Sequence, residues 1–265
     1  MDGVARVREW DDYLSPSGRD TFVQCQRRWR YRYLDRLDEP SGREADFGRL
    51  VHSILERLMA EAPEVRSRLD VCAGTVEAMR EAWVGEHEHG PVDVWRAVRG
   101  GLVLNPGALD VVGREVEVSA TVGCVPFYGV IDRIDRDGDG VRIIDYKTGK
   151  VPRPKYAAAR LSQLYLYAAA LEDSDPDVDV VSVELQYVCA KPGPLKVTEQ
   201  LDRRRLAHEI GQFEMAWDDI HGHVECLEDA AADEVFRPRP GPLCGWCGHV
   251  AACNAAGGGP GEVRR

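Results

Sequence analysis

Two aspartates and a lysine are the residues of this chain best placed to do chemistry. Gly129-Val130-Ile131-Asp132 is followed thirteen residues later by Asp145-Tyr146-Lys147. Both strings lie in apolar, β-branched and aromatic runs, residues 125–134 and 141–146, where charge is costly unless it is paired or holds a ligand. Asp137-Gly138-Asp139-Gly140 between them reads as a tight turn. Side chains alternate along a strand, so Asp145 and Lys147 share a face. A loop of two or four residues brings Asp132 onto that face too, beside or opposite Asp145. Two hard oxygen ligands for a divalent cation then sit beside an ammonium, with the backbone carbonyl of Tyr146 as a further ligand. Such a set suits phosphodiester hydrolysis. The cation neutralises charge and lowers the pKa of a water, while the lysine orients or deprotonates that water and steadies the developing negative charge. The competing reading is a surface hairpin with an ordinary Asp–Lys ion pair.

A second constellation is made of thiols. Cys244-Gly-Trp-Cys247-Gly-His-Val-Ala-Ala-Cys253 follows Cys25 after 219 positions. Eight cysteines in a chain read as intracellular argue for ligands rather than a disulfide frame. The late group suits zinc, with His249 or Cys25 as fourth ligand. Cys72, Cys124, Cys189 and Cys226 are expected to pack as small hydrophobes.

The elements that must position these groups follow from periodicity. Residues 15–37 read as a helix opened by Ser15-Pro16-Ser17, and 41–46 as a polar connector. Residues 47–60 form an amphipathic helix with Leu50, Ile54, Leu55 and Leu58 on one side, and 64–83 a further helix. Residues 85–109 show no clear period. Strands are expected at 115–121, 126–135 and 141–147, a helix at 155–171, strands at 180–189 and 195–200, and a helix at 202–225. Residues 256–265 read as a disordered tail. This order implies an α/β or α+β fold with a central mixed sheet flanked by helices, a single domain over residues 1–255.

Composition limits the function classes. A hydrophobic content of 44% and a charged content of 30% over 265 residues are ordinary for a globular protein. No apolar run approaches the ~20 residues that span a bilayer, and the start is polar rather than signal-like; a cytoplasmic location, without membrane contact, is expected. The only Gly-Lys pair, Gly149-Lys150, precedes Val151, which excludes a phosphate-cradling loop and a nucleotide-driven motor. The net charge of −11 opposes nonspecific coating of nucleic acid. Locally the balance reverses: Arg19 to Arg36 holds six arginines against two aspartates, and Arg142 to Arg160 six basic residues against one acid. A polyanionic substrate fits those stretches.

The strings Gly129-Val-Ile-Asp132-Arg-Ile and Ile143-Ile-Asp145-Tyr-Lys147-Thr-Gly resemble the PD-(D/E)XK nuclease superfamily, specifically its RecB-like exonuclease branch. Phe47-Gly48-Arg-Leu-Val-His52 resembles that family's helical Gly-x-x-x-His motif, which implies His52 as a metal ligand. Gln163-Leu-Tyr-Leu-Tyr167 resembles its Gln-x-x-x-Tyr motif, whose two residues share one helix face, turned on the family pattern toward the active site and the DNA strand. Glu115 matches a position where relatives often carry an acid, a solvated strand end being the alternative. The cysteines resemble the iron–sulfur variety found in AddB-type subunits and CRISPR-associated single-strand exonucleases. That implies a [4Fe–4S] cluster on Cys25, Cys244, Cys247 and Cys253, joining the two chain ends and removing about 4–5 kcal/mol of unfolded-state entropy if treated like a disulfide.

The resemblance implies a restriction-endonuclease-like core with a helical N-terminal elaboration and a C-terminal cysteine-rich segment. It implies an Mg²⁺- or Mn²⁺-dependent exodeoxyribonuclease acting on DNA ends, single-stranded ones foremost. His52, Asp132, Asp145 and Tyr146 would hold the metal, with Asp132, Asp145, Lys147, Gln163 and Tyr167 as the catalytic set. Arginines of the Arg19 to Arg36 stretch would neutralise phosphates, and Trp29, Tyr31 and Tyr33 would stack bases. The implied settings are repair, recombination and phage or CRISPR DNA processing, with a helicase or integrase as partner. The alternative is a non-catalytic DNA-end-binding module, or a subunit of a recombination or spacer-acquisition complex.

Overall fold

The computed structural model describes residues 12–39, 42–253 and 255, and of residues 154–159 the backbone only. The tail expected at 256–265 lies outside the described residues. In chain order the elements are α1 (Pro16–Gln24), α2 (Gln26–Trp29), a π-helical turn (Arg30–Leu34), α3 (Arg43–Met59), α4 (Pro63–Arg66), α5 (Leu69–Glu81) and α6 (Pro91–Leu104). There follow β1 (Val111–Val122), β2 (Val125–Asp137), β3 (Gly140–Lys147), α7 (Pro154–Ser174), β4 (Val180–Tyr187), β5 (Leu195–Gln200), α8 (Arg203–Glu225) and α9 (Ala232–Val235), with short 3₁₀ turns at Cys226–Glu228 and Pro242–Trp246. They form two compact units. Among the described residues, one comprises 42–121 and Tyr128–Glu209; the other comprises Val122–Phe127 with the described residues before 40 and after 209.

The first unit carries the sheet, ordered β1-β2-β3-β4-β5. β2 and β3 pair antiparallel from Asp137↔Gly140 to Arg133↔Ile144, across a two-residue loop whose Gly138 has the positive φ of 62° that such loops require. β3 and β4 pair parallel, so their link must cross over, and α7 makes that crossing. β4 and β5 pair antiparallel. The sheet is therefore mixed and flanked by helices, as the element order implies. Leu50, Ile54, Leu55 and Leu58 of α3 are buried as the helical period predicts, and pack with Val94, Ala97 and Val98 of α6 around Ile144 and Tyr146. α6 comes so close to the chain beyond β4 that a Cβ on Gly100 would lie 2.1 Å from the Val188 carbonyl oxygen. Only glycine admits that approach.

Several boundaries differ from expectation, each for a local reason. The helix expected over residues 15–37 starts as foreseen, with Ser15 Oγ accepting from the Gly18 amide at 3.0 Å and Pro16 in the first turn. It breaks at Cys25, whose backbone is extended (φ −161°, ψ 108°), and ends in a π-helical turn. The helix expected over 64–83 divides where Arg68 leaves the helical region (φ −86°, ψ 87°). The stretch 85–109 contains α6, whose Pro91 start was hidden by flanking glycines. α3 begins at Arg43, inside the expected connector, with Glu44 and Asp46 favoured at its N-terminal turn. Cys72 is buried as expected, but Cys124 and Cys226 are exposed.

In the other unit the aromatic and basic residues after Cys25 turn inward. Trp29 is 0% exposed, stacked on Phe236 and edge-on to Phe22, and Tyr31, 6% exposed, lies against His249. Neither ring is free to stack bases, a correction to the sequence expectation; Tyr33, partly exposed, leans on Trp29. The arginines are similarly engaged. Arg27 and Arg30 both reach Asp233, Arg28 pairs with Glu39 at 2.9 Å, and Arg19 with Asp20. Among the described residues no helix is long and apolar enough to cross a membrane.

A buried polar cluster braces the sheet. Arg133, 1% exposed, donates to Tyr146 Oη and Asn105 Oδ1 and lies 2.9 Å from each oxygen of Asp135. Asn105 in turn exchanges hydrogen bonds with Gln186 of β4. Replacing Arg133 with Met removes those donors and leaves the Asp135 carboxylate buried and uncompensated. Urea unfolding of Arg133→Met should show a loss of about 3–5 kcal/mol; a loss below about 1 kcal/mol would show the cluster to be dispensable.

Candidate active site

The alternation of β3 sets the site. Ile144 and Tyr146 enter the core beneath α3, so Asp145 and Lys147 occupy the opposite side of the strand. Asp145 is 5% exposed, and Lys147 Nζ lies 2.9 Å from its Oδ1 and 2.7 Å from its Oδ2. The antiparallel register reaches Arg133↔Ile144, and its next step sets Asp132 opposite Asp145. There the side chain takes over from the ladder: the Tyr146 amide donates to Asp132 Oδ2 at 2.7 Å. The Asp132 carboxylate is thereby held against the main chain of the residue between Asp145 and Lys147.

His52 arrives from α3, its Nδ1 3.4 Å from Asp132 Oδ2 and its ring edge-on to Tyr146. Glu115 arrives from β1. One ligand atom each from His52, Glu115 and Asp132 lie within 4.8 Å of one another, a spacing that fits a single cation. Glu115 is a half-buried residue with φ of 44°, unusual for a side-chain-bearing residue. In β1 the inward positions are 111, 113 and 115 before this point, and 116, 118, 120 and 122 after it. The strand therefore slips by one residue here, as at a β-bulge, and the slip turns Glu115 inward. It is not a solvated strand end. Glu56, one turn beyond His52 on α3, lines the same hollow, and its place was readable only as the i+4 neighbour of that histidine.

Asp145 has its carboxylate occupied by Lys147, so the expected ligands His52 and Asp132 come together with Glu115 while Asp145 stands beside the ammonium. The Tyr146 side chain belongs to the core, and its amide, rather than its ring, faces Asp132. On α7, Gln163 Nε2 donates to Tyr167 Oη at 3.0 Å. Both residues lie on the helix face that carries Arg160, whose charge reaches Lys147.

The electrostatics are those of crowded acids. Burial, then the negative charges of Asp132, Glu56 and Asp145, push the Glu115 carboxyl up to about 7. Burial works against charge on His52, yet the Asp132 carboxylate, its hydrogen bond and Asp145 outweigh it and hold the imidazole at about 9. Burial raises Asp145 despite Lys147, and burial likewise opposes the ammonium of Lys147, which Asp145 raises in return. Tyr167 is pushed up to about 12 by burial and the two aspartates, against the hydrogen bond from Gln163. Mutually repelling carboxylates around one small hollow are relieved by a divalent cation, and their oxygens with one imidazole are an apt donor set for it.

The cysteines also converge. Cys25, Cys244, Cys247 and Cys253 line one small pocket with Arg27, Arg28 and Arg239. The extended backbone at Cys25 ends α1 at this wall.

The profile of the PD-(D/E)XK nuclease superfamily matches residues 13–254. No curated protein matches the chain. Among solved structures, the crystal structure of SSO0001 aligns at a TM-score of 0.45 and 16% identity, over 94% of this chain and 88% of that one. The matched span takes in the hairpin, α3, α7 and both cysteine segments, and on that extent the chain belongs to the PD-(D/E)XK nuclease superfamily.

Proposed function

We propose that this chain is a metal-dependent exodeoxyribonuclease of the RecB-like branch, acting on DNA ends, single-stranded ones foremost. The observation that carries the reading is the convergence of His52, Glu115 and Asp132 beside the Asp145–Lys147 ion pair, at the end of one hairpin. A bound Mg²⁺ or Mn²⁺ supplies positive charge to a phosphodiester and makes a water more acidic. His52, Asp132, Asp145 and the Tyr146 carbonyl would hold it, with Glu115 added to the set. Lys147, fixed in direction by Asp145, donates hydrogen bonds that orient the attacking water in line with the scissile bond and steady the charge gathering on the phosphate. Gln163 holds the Tyr167 hydroxyl in one direction, and Arg160 offers a second cation on the same side. The water oxygen bonds to phosphorus and gives up a proton to solvent, the bond to the leaving oxygen breaks, and that oxygen takes a proton from solvent and departs as a hydroxyl.

We propose further that Cys25, Cys244, Cys247 and Cys253 hold a [4Fe–4S] cluster. The wall supports this. Four thiolates give an iron–sulfur cluster a net negative charge, and Arg239 stands in the same wall, with Arg27 and Arg28, themselves paired with Asp233 and Glu39, beside it. The Gly241 amide donates to Cys244 Sγ at 3.4 Å, a contact that stabilises a ligating sulfur.

Two experiments test these readings. With Mn²⁺, purified protein should degrade linear labelled single-stranded DNA and spare a closed circle. Asp145→Asn and Lys147→Ala should each slow degradation by at least about 100-fold. Undiminished cleavage by both variants would remove the assignment. For the cysteines, anaerobically purified protein should be brown with about four iron atoms per chain, and Cys25→Ser should lose colour and iron together. A colourless protein with one zinc would decide for the zinc alternative.

A further inference from the structure

A second hollow lies next to the first, also within the unit that carries the sheet. β3 and β4 are the parallel pair, and their carboxyl ends stand side by side: Lys147 pairs with Tyr187, and the Val188 amide donates to the Lys147 carbonyl at 3.1 Å. In open α/β sheets ligands settle outside the carboxyl ends of parallel strands. Here Thr148-Gly149, the loop from Val188 to Pro194, α6 and the start of α3 enclose a cleft of about 930 Å³. It meets the acidic hollow at one point. Gly48 lines the hollow of His52 and Glu115, Thr148 lines the cleft, and a Cβ on Gly48 would lie 3.4 Å from Thr148 Oγ1.

The cleft is basic in a chain of net charge −11. Its cations are Arg43, Arg96, Arg99 and Lys191, against the acids Glu44 and Asp93. Arg96 pairs with Asp93 at 3.0 Å, and Arg43 donates to the Glu88 carbonyl. Arg99 and Lys191 are exposed and make no ion pair among the described residues. Cβ atoms on Gly149 and Gly193 would meet nothing within 4 Å, so main chain on this wall is open to close approach. The volume is at the top of the ~300–1,000 Å³ range of small-molecule sites, room for more than one nucleotide unit.

We infer that this cleft takes the sugar–phosphate backbone of the strand being cut, with Arg99 and Lys191 binding phosphates that flank the scissile one. The inference rests on the nuclease reading and names where its substrate lies. Two cations that make no ion pair among the described residues, one on α6 and one in the loop after β4, favour a chain of phosphates over one; a mononucleotide is the other source of the same chemistry.

The test is strand binding without turnover, by fluorescence anisotropy of a labelled oligothymidylate about 20 nucleotides long in EDTA, across a salt series. Relative to wild type, Arg99→Ala/Lys191→Ala should weaken binding at least about tenfold and lower the slope of log Kd against log salt by about 1.4, near 0.7 per lost cation. Arg99→Lys should keep the wild-type slope. In turnover with Mn²⁺ the double variant should raise KM for the oligonucleotide with kcat within about twofold, and hydrolyse bis(p-nitrophenyl) phosphate, which has no flanking phosphates, like wild type. An unchanged salt slope, or equal loss on the small diester, overturns the cleft assignment alone. Tight binding of thymidine monophosphate by the wild type that the double variant loses, with oligonucleotide affinity the same in both, also overturns it, in favour of a mononucleotide site. A wild type that cleaves neither substrate overturns the nuclease reading instead.

Discussion

The hydrogen bond from the Tyr146 amide to Asp132 is the contact on which the site depends. A main-chain donor that would otherwise continue the β2–β3 ladder is given to a carboxylate. That choice ends the pairing one step after Arg133↔Ile144 and leaves the hairpin's open end lined by acids instead of by ladder bonds. It also fixes Asp132 relative to both neighbours of Tyr146, because Asp145 and Lys147 leave the strand on the side away from the core. A rotamer change at Asp132 would therefore free a buried amide, a cost of about 1–3 kcal/mol that holds the carboxylate in place before any cation arrives.

The reverse side of the same strands shows how charge can be tolerated so close to an apolar core. Arg133, between Asp132 and Ile134 in sequence, turns inward and finds Tyr146 Oη, Asn105 Oδ1 and Asp135. One residue, Tyr146, thus serves both sides: its amide orients an acid of the site, and its ring and hydroxyl join the core and the arginine. Any displacement of the arginine network would be felt at Asp132 and its neighbours through that shared residue. The core and the site are two faces of one hairpin rather than separate layers of the protein.

How far this was legible in the chain varies with the range of the interaction. The hairpin was readable from apolar runs of β-branched and aromatic residues and from Asp137-Gly138-Asp139-Gly140, because turn and strand are decided within a dozen residues. The apolar stripe of α3 was readable for the same reason. Glu115 was not placed with the ligands, since its inward turn depends on a one-residue slip in β1 at a non-glycine position, a conformation that no local residue preference announces. The break at Cys25 was likewise hidden: residues 15–37 have helical composition throughout, and the thiol at the break lines one pocket with Cys244, Cys247 and Cys253, more than 200 positions away. Trp29 and Tyr31 looked like exposed stackers because they sit among arginines, yet those arginines pair with Glu39 nearby and with Asp233, far along the chain, while the rings pack on Phe236 and His249.

Charge distribution follows a similar logic. Asp233 and Glu39 neutralise much of the arginine-rich stretch, so a count of basic residues in sequence overstates the positive surface it provides. Conversely, Arg99 and Lys191 belong to no basic run, and only the parallel pairing of β3 and β4 brings the α6 arginine and the loop lysine to one cleft. An acidic total is therefore compatible with an anionic substrate. Screening confines surface charges to about a Debye length, roughly 8 Å at physiological salt, so acids scattered over the remaining surface do not cancel two unpaired cations facing one hollow. On the proposed reading, affinity for a phosphate chain depends on the local field at the carboxyl ends of β3 and β4, and there the acids Glu44 and Asp93 are outnumbered.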